Sequence, residues 1–206
     1  MTGDHRLPSP PLIPDPASAP SSDVSNWNIA NALTMLRIAL VPLFGWFLLA
    51  AGGDDTSYRW WALVVFVGAS VTDRLDGDIA RAWGLVTDFG KMVDPIADKA
   101  LMGMALIGLS LIDVVPWWMT VIILVRELGI TGLRMWVLKH GVLPASRGGK
   151  LKTALQALGI ALFVMPLGAF VHFVAWCVLL VALLITVATG VDYIFQALRL
   201  RAASQR

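Results

Sequence analysis

Apolar residues fall into six long runs, at about 29–51, 58–83, 89–113, 115–140, 150–171 and 173–199, separated by short polar breaks. Each run is near the roughly 20 residues that a helix needs to cross a bilayer. The pattern predicts an all-α integral membrane protein with six transmembrane helices and no tandem repeat. Two runs are incomplete. Trp60–Thr72 and Ala100–Ile112 are each 13 uncharged residues, about 20 Å of helix against a hydrocarbon core of about 30 Å. Helices two and three span only if their charged halves, near 73–83 and 89–99, also enter the membrane. Such charges must face a polar cavity, one another, or metal ions.

Residues 1–25 are rich in Pro, Ser and Asp and are expected to form a disordered cytoplasmic tail. They have no apolar core and cleavage pattern of a signal peptide. Residues 26–201 are expected to form one membrane domain, and 202–206 a short tail. Small residues along the runs, such as Gly68, Gly103, Gly108, Gly129 and Gly132, suit close helix packing.

Composition agrees with this reading. The chain has 206 residues, is 57% hydrophobic and 15% charged, and has a mean hydropathy of +0.73. Soluble domains are nearer 25% charged. The single cysteine, Cys177, excludes an internal disulfide and a cysteine-built zinc site. Net charge is only +2, so the placement of charge says more than its sum. Asp54 and Asp55 mark one connection, and the turns near Asp113 and Gly168 lack Lys and Arg. Arg74, Arg81, Lys91, Lys99, Arg134, Lys139, Arg147, Lys150, Lys152, Arg199, Arg201 and Arg206 mark the opposite ends. By the positive-inside rule that side faces the cytosol, with both termini. No nucleic-acid partner is expected.

Six of the 14 acidic residues lie between Asp73 and Asp98. Asp73 and Asp76 are three apart, and Asp94 and Asp98 four apart, so each pair shares a helical face. Four carboxylates at one depth would repel unless protonated or neutralised by cations. All-oxygen donors favour Mg²⁺ or Mn²⁺ over zinc, and two such ions suit displacement at phosphorus. Gly77 lets a ligand approach the backbone, Ala80 keeps the next turn open, and Arg81 adds a positive charge. Gly90 suits a tight start to the third helix. The plain alternatives are that Asp94 before Pro95 caps a helix, that Asp88 caps one too, and that Asp78 points to solvent or to Arg81.

The stretch from Asp73 to Asp98 reads DxxDGxxAR, eight residues, then GxxxDxxxD. It resembles the signature of the CDP-alcohol phosphotransferase family at every fixed position. The resemblance implies six transmembrane helices, usually as a homodimer, and displacement of CMP from a CDP-linked lipid by an acceptor hydroxyl. It implies that Asp73, Asp76, Asp94 and Asp98 hold two Mg²⁺ or Mn²⁺ ions, with Asp98 as general base. Gly77, Ala80 and Arg81, with Asp73 and Asp76, would bind the CDP-lipid. Asn28–Phe44, Val125–Arg134 and Gly149–Gln156 are similar to bacterial members that join CDP-diacylglycerol to glycerol 3-phosphate. Such an enzyme belongs in the bacterial plasma membrane, among membrane lipids, with its active site facing the cytosol.

Arg126, Arg134, Lys150 and Lys152 are the candidates for holding an acceptor's phosphate; Arg suits it by its planar donor fork. The plain alternatives are an Arg126–Glu127 pair and, for the lysines, lipid-headgroup anchoring. Arg37 either snorkels or reaches substrate phosphate, and His172 lies far from the aspartates. Two rivals remain: a family member that uses inositol phosphate, serine or phosphatidylglycerol as acceptor, and a divalent-metal transporter.

Overall fold

The computed structural model of the chain describes the backbone of residues 29–82, 87–137 and 147–204. Side chains are described at 29, 31–73, 87, 93–133 and 151–195. Within them are six α-helices: α1 (Ile29–Leu49), α2 (Thr56–Ala82), α3 (Asp88–Leu111), α4 (Trp117–Val137), α5 (Arg147–Val164) and α6 (Ala169–Ser204). A 3₁₀ turn, Ala50–Gly53, joins α1 to α2. No strand occurs among the described residues.

α1 packs on both α2 and α3, α5 packs on α6, and α4 joins α3 to α6. Phe44 and Leu48 of α1, Phe66 of α2, Leu106 and Leu109 of α3, Ile123 of α4, Phe163 of α5 and Leu179 of α6 are buried in one core. Val64, Val67, Val121, Val125, Leu180 and Leu184 are exposed instead. An apolar exterior around an apolar core is what a lipid solvent allows and water penalises. Asn31–Gly53 and Ala169–Phe195 are long and apolar enough to cross a membrane by length and composition alone. α2 and α3 carry the aspartates and cannot meet that test unaided.

The connections α1–α2, α3–α4 and α5–α6 gather at one end. Gly53 sits at φ +82°, and a Cβ there would lie 2.8 Å from Ile112 Cδ1. Backbone conformation and the approach of the α3–α4 turn both require glycine. Asp113 takes the left-handed conformation, φ 57°, in that turn, while the Val114 N–H donates to Leu109 O at 2.9 Å.

Arg59 holds this end together. Its Nη2 donates to Phe163 O at 2.5 Å, its Nε to Val164 O at 3.2 Å and its Nη1 to Gly53 O at 3.3 Å. The last carbonyls of α5 have no partner within their helix, and a cation there also meets the negative end of the helix dipole. This basic residue, on the end otherwise poor in Lys and Arg, thus has a capping task. Trp46, Phe47, Tyr58 and Trp61 cluster nearby, with the Trp46 and Phe47 rings 4.9 Å apart. Aromatic groups of this kind favour the membrane–water boundary.

Three boundaries differ from the hydropathy reading. α5 ends at Val164, not near 171, because Pro166 disfavours helix at Met165 and has no N–H to donate. α6 then starts at Ala169 and continues to Ser204, beyond both ends of the apolar run at about 173–199. α3 starts at Asp88, so Gly90 lies within its first turn.

Close packing of α5 on α6 runs through Gly159, where a Cβ would approach the Leu179 backbone to 3.2 Å. Arg59→Ala removes three bonds from α2 to carbonyls of α5 and of the α1–α2 turn. It is expected to destabilise the protein by roughly 2–3 kcal/mol, the range for a hydrogen-bonded charge. Thermal unfolding in detergent measures this, with Arg59→Lys retaining part.

Candidate active site

Three polar residues spaced three apart, Asn31, Thr34 and Arg37, share one face of α1 and are all buried. Each meets the charged end of α2 or α3. Thr87 Oγ1, just before α3, donates to Asn31 Oδ1 at 3.0 Å. Thr34 Oγ1 donates to Asp94 Oδ1 at 2.6 Å. Arg37 Nη1 lies 2.5 Å from Asp73 Oδ1. Arg37 is 0% exposed, whereas the Asp73 side chain is 37% exposed. One helix face therefore carries the carboxylates of its two neighbours.

Asp94 does not cap α3. It and Pro95 lie within the helix, which begins six residues earlier at Asp88, and Thr87 holds the position before the first turn. The ring of Pro95 leaves the carbonyl one turn back without its helical donor.

Asp98 stands one turn further along α3 and lines a cleft between α3, α4 and α5. The other lining residues include Lys99, Glu127, Thr153 and Gln156, with Met102 and Leu124 as apolar wall. Asp98 lies within electrostatic reach of Asp73 and Glu127, and of the cations Lys99 and Arg37. The structure thus brings Asp73, Asp94 and Asp98 to one region.

Across the cleft, Glu127 is a hub. Its Oε1 accepts from Arg126 Nη1 at 3.1 Å and forms an ion pair with Lys152 Nζ. Arg126 Nη2 donates to Thr189 Oγ1 of α6 at 2.7 Å. Gly190 makes room for this guanidinium, since a Cβ there would lie 3.1 Å from Arg126 Nε. Arg126 is therefore committed to the Glu127 pair and to α6, as the plain alternative expected. Lys152 and Gln156, four apart on α5, are both buried.

Asp76, Gly77, Ala80 and Arg81 lie on α2 beyond Asp73, Arg134 lies on α4 and Lys150 on α5. Their side chains are outside the described residues, as are those of Asp78 and Asp88. Among the described residues no three metal-binding side chains gather around one point. His172 is at the far end of the bundle, its ring 5.8 Å from Phe163.

Sequence reasoning passed over Asn31, Thr34, Gln156 and the hub role of Glu127. The signal for the first two was present. Three polar residues at a spacing of three within an apolar run mark a buried polar stripe.

The family model for CDP-alcohol phosphatidyltransferase matches residues 27–188. A probable phosphatidylglycerophosphate synthase of Mycobacterium tuberculosis is 54% identical over 172 residues, covering 84% of this chain and 82% of that protein. A CDP-diacylglycerol–glycerol-3-phosphate 3-phosphatidyltransferase of Bacillus subtilis is 37% identical over 180 residues, covering 81% and 93%. A CMP-forming cardiolipin synthase of Streptomyces coelicolor is 35% identical over 116 residues, covering 56% and 54%.

Glu127→Ala removes the anion that Arg126 and Lys152 share. Breaking a buried pair from one side typically costs about 3–5 kcal/mol; Glu127 is partly exposed, so roughly 2–3 kcal/mol is expected. Unfolding midpoints should fall further for Glu127→Ala than for Thr189→Ala, which removes only a neutral partner.

Proposed function

We propose that this chain, which belongs to the CDP-alcohol phosphatidyltransferase family, transfers the phosphatidyl group of CDP-diacylglycerol to glycerol 3-phosphate. The products are phosphatidylglycerol phosphate and CMP. The relatives named for this reaction align over more than four fifths of the chain, and the cardiolipin synthase over little more than half. The observation that carries the reading is the convergence of Asp73, Asp94 and Asp98 from α2 and α3, with Asp98 opening onto a cleft faced by Glu127.

The donor set fits hard divalent cations. Asp73, Asp94 and Asp98 supply carboxylate oxygens without sulfur or imidazole, and Asp76 follows Asp73 by three residues on α2. These four residues would hold two Mg²⁺ or Mn²⁺ ions. When bound, such ions neutralise a pyrophosphate and the departing nucleotide phosphate.

The chain's own residues do the rest. Gly77 and Ala80 leave space beside α2 for the cytidine nucleotide, and Arg81 supplies a cation to it. Lys152, with Lys150 and Arg134, holds the acceptor's phosphate, and Arg126 steadies Glu127 beside them. Asp98, at the cleft wall, accepts the proton of the acceptor's 1-hydroxyl. That oxygen forms its bond to the phosphorus bearing the lipid, the bond from phosphorus to the CMP oxygen breaks, and CMP departs with the electron pair. Six helices cross a bacterial plasma membrane, with the site and both termini on the cytosolic side. The enzyme acts as a homodimer among its lipids.

Purified protein given CDP-diacylglycerol is expected to release CMP with glycerol 3-phosphate, and little with inositol phosphate, serine or phosphatidylglycerol. EDTA should abolish release, and Mg²⁺ or Mn²⁺ should restore it. Asp98→Asn should lower kcat by about 10²–10⁴, the usual worth of a general base. Preference for phosphatidylglycerol would move the chain to the cardiolipin-forming branch.

Arg134→Ala tests the acceptor site. Loss of a charged contact to phosphate is expected to raise the KM for glycerol 3-phosphate by about 10², with the KM for CDP-diacylglycerol little changed. Arg134→Lys should recover part of it, since the planar fork is lost. Equal weakening for both substrates would make Arg134 a structural anchor instead.

A further inference from the structure

We propose that Thr34 is a positioning residue for cation binding: its hydroxyl holds the Asp94 carboxylate in the orientation that receives the ion. This rests on the two-cation reading above and deepens it.

A carboxylate on a helix has a broad, poorly defined terminal torsion. Asp94 is not left to sample it, because the Thr34 hydroxyl donates to Oδ1 at 2.6 Å, the short range of a charge-assisted bond. Thr34 is itself 2% exposed, so water has little room to replace it. One carboxylate oxygen is held from α1, which leaves the direction of the second determined.

The kind of donor matters as much as its position. Asp73 is held by Arg37, one turn along the same face of α1, and that cation cancels its charge. Thr34 is neutral. It orients Asp94 and leaves the whole negative charge available to a metal ion. A lysine or arginine at this position would orient the carboxylate equally well and weaken it as a ligand. Thr34 and Arg37 also lie one turn apart on a single rigid element, so α1 sets the spacing between a carboxylate of α2 and one of α3. Asn31, a turn earlier, accepts from Thr87 and anchors the start of α3 in the same register.

Partners that orient a metal ligand typically contribute about 10- to 100-fold in metal affinity. The test is Mn²⁺ binding to the full-length protein in detergent without substrates, read from the electron paramagnetic resonance signal of free Mn²⁺. Thr34→Val keeps the shape and removes the donor. It is expected to weaken Mn²⁺ binding by about 10-fold or more and to raise the Mn²⁺ concentration for half-maximal CMP release by the same factor. Thr34→Ser keeps the hydroxyl and should bind close to wild type. If Thr34→Val does not fold, Thr34→Ala against Thr34→Ser makes the same comparison.

Wild-type Mn²⁺ affinity in a folded Thr34→Val or Thr34→Ala protein would overturn the positioning role. So would Thr34→Ser binding as weakly as the variants without a hydroxyl, since the role belongs to that group. Failure of the wild type itself to bind Mn²⁺ would overturn the two-cation reading, and the proposal with it. The wild-type measurement therefore separates the two failures.

Discussion

Arg37 has no contact with solvent, and a guanidinium removed from water without an anion is destabilised by several kcal/mol. Asp73 meets that need at 2.5 Å. The pairing has to be made between α1 and α2, so these helices cannot slide or rotate independently. The same face of α1 binds Asp94 of α3 and Thr87 just before it. An interior ion pair of this kind is a poor source of net stability, because desolvation offsets much of the attraction. Its effect is on register: any slip of α1 by one residue would separate all three contacts together.

The two ends of the bundle solve their polar requirements differently. At the end with the short connections, the groups to be satisfied are helix-terminal carbonyls, and Arg59 reaches three of them from two segments. The Ser110 and Thr120 hydroxyls, 2.7 Å apart and buried, close the α3–α4 contact there. At the other end the groups are charged side chains, held by α1 on one flank and by Glu127 on the other. The Arg59 cation is committed to backbone carbonyls there, not to a carboxylate that a ligand could displace. Ion pairs around a cleft can exchange partners with a charged substrate, which is why chemistry belongs at that end.

The aspartates were readable in the sequence because helical periodicity is a local property. Spacings of three and four put Asp73 with Asp76, and Asp94 with Asp98, on shared faces whatever else the chain does. The boundary between α5 and α6 was less readable. Hydropathy stays high through Phe163–Phe170, and only Pro166 and Gly168 mark the break. Thr34 was passed over for another reason. A lone threonine in an apolar helix usually bonds its own backbone, as Thr72 does with Gly68 O and Thr131 with Glu127 O. Its partner Asp94 is 60 residues away, and no local pattern points to it. Arg126 showed its charge but not its direction, and Gly190 and Thr189 of α6 decide that.

The pairings also divide the cleft by charge. Asp73 and Arg37 cancel, and among the described side chains Asp94 and Asp98 are the remaining carboxylates on that side. On the facing side Glu127 is outnumbered by Arg126 and Lys152, which leaves one positive charge, while Lys99 of α3 lines the cleft beside Asp98. In a medium of low dielectric such a separation is felt strongly over a few ångströms. On the proposed reading, the negative side receives divalent cations with a pyrophosphate and the positive side an acceptor that brings its own phosphate. Had Arg37 been uncharged, Asp73 would add to the repulsion among the aspartates and the empty site would be harder to fold. Had Thr34 been a cation, it would cancel the charge of Asp94 as Arg37 cancels that of Asp73. The choice of a charged partner for Asp73 and a neutral one for Asp94 thus reconciles a stable fold with the metal-binding role proposed for the site.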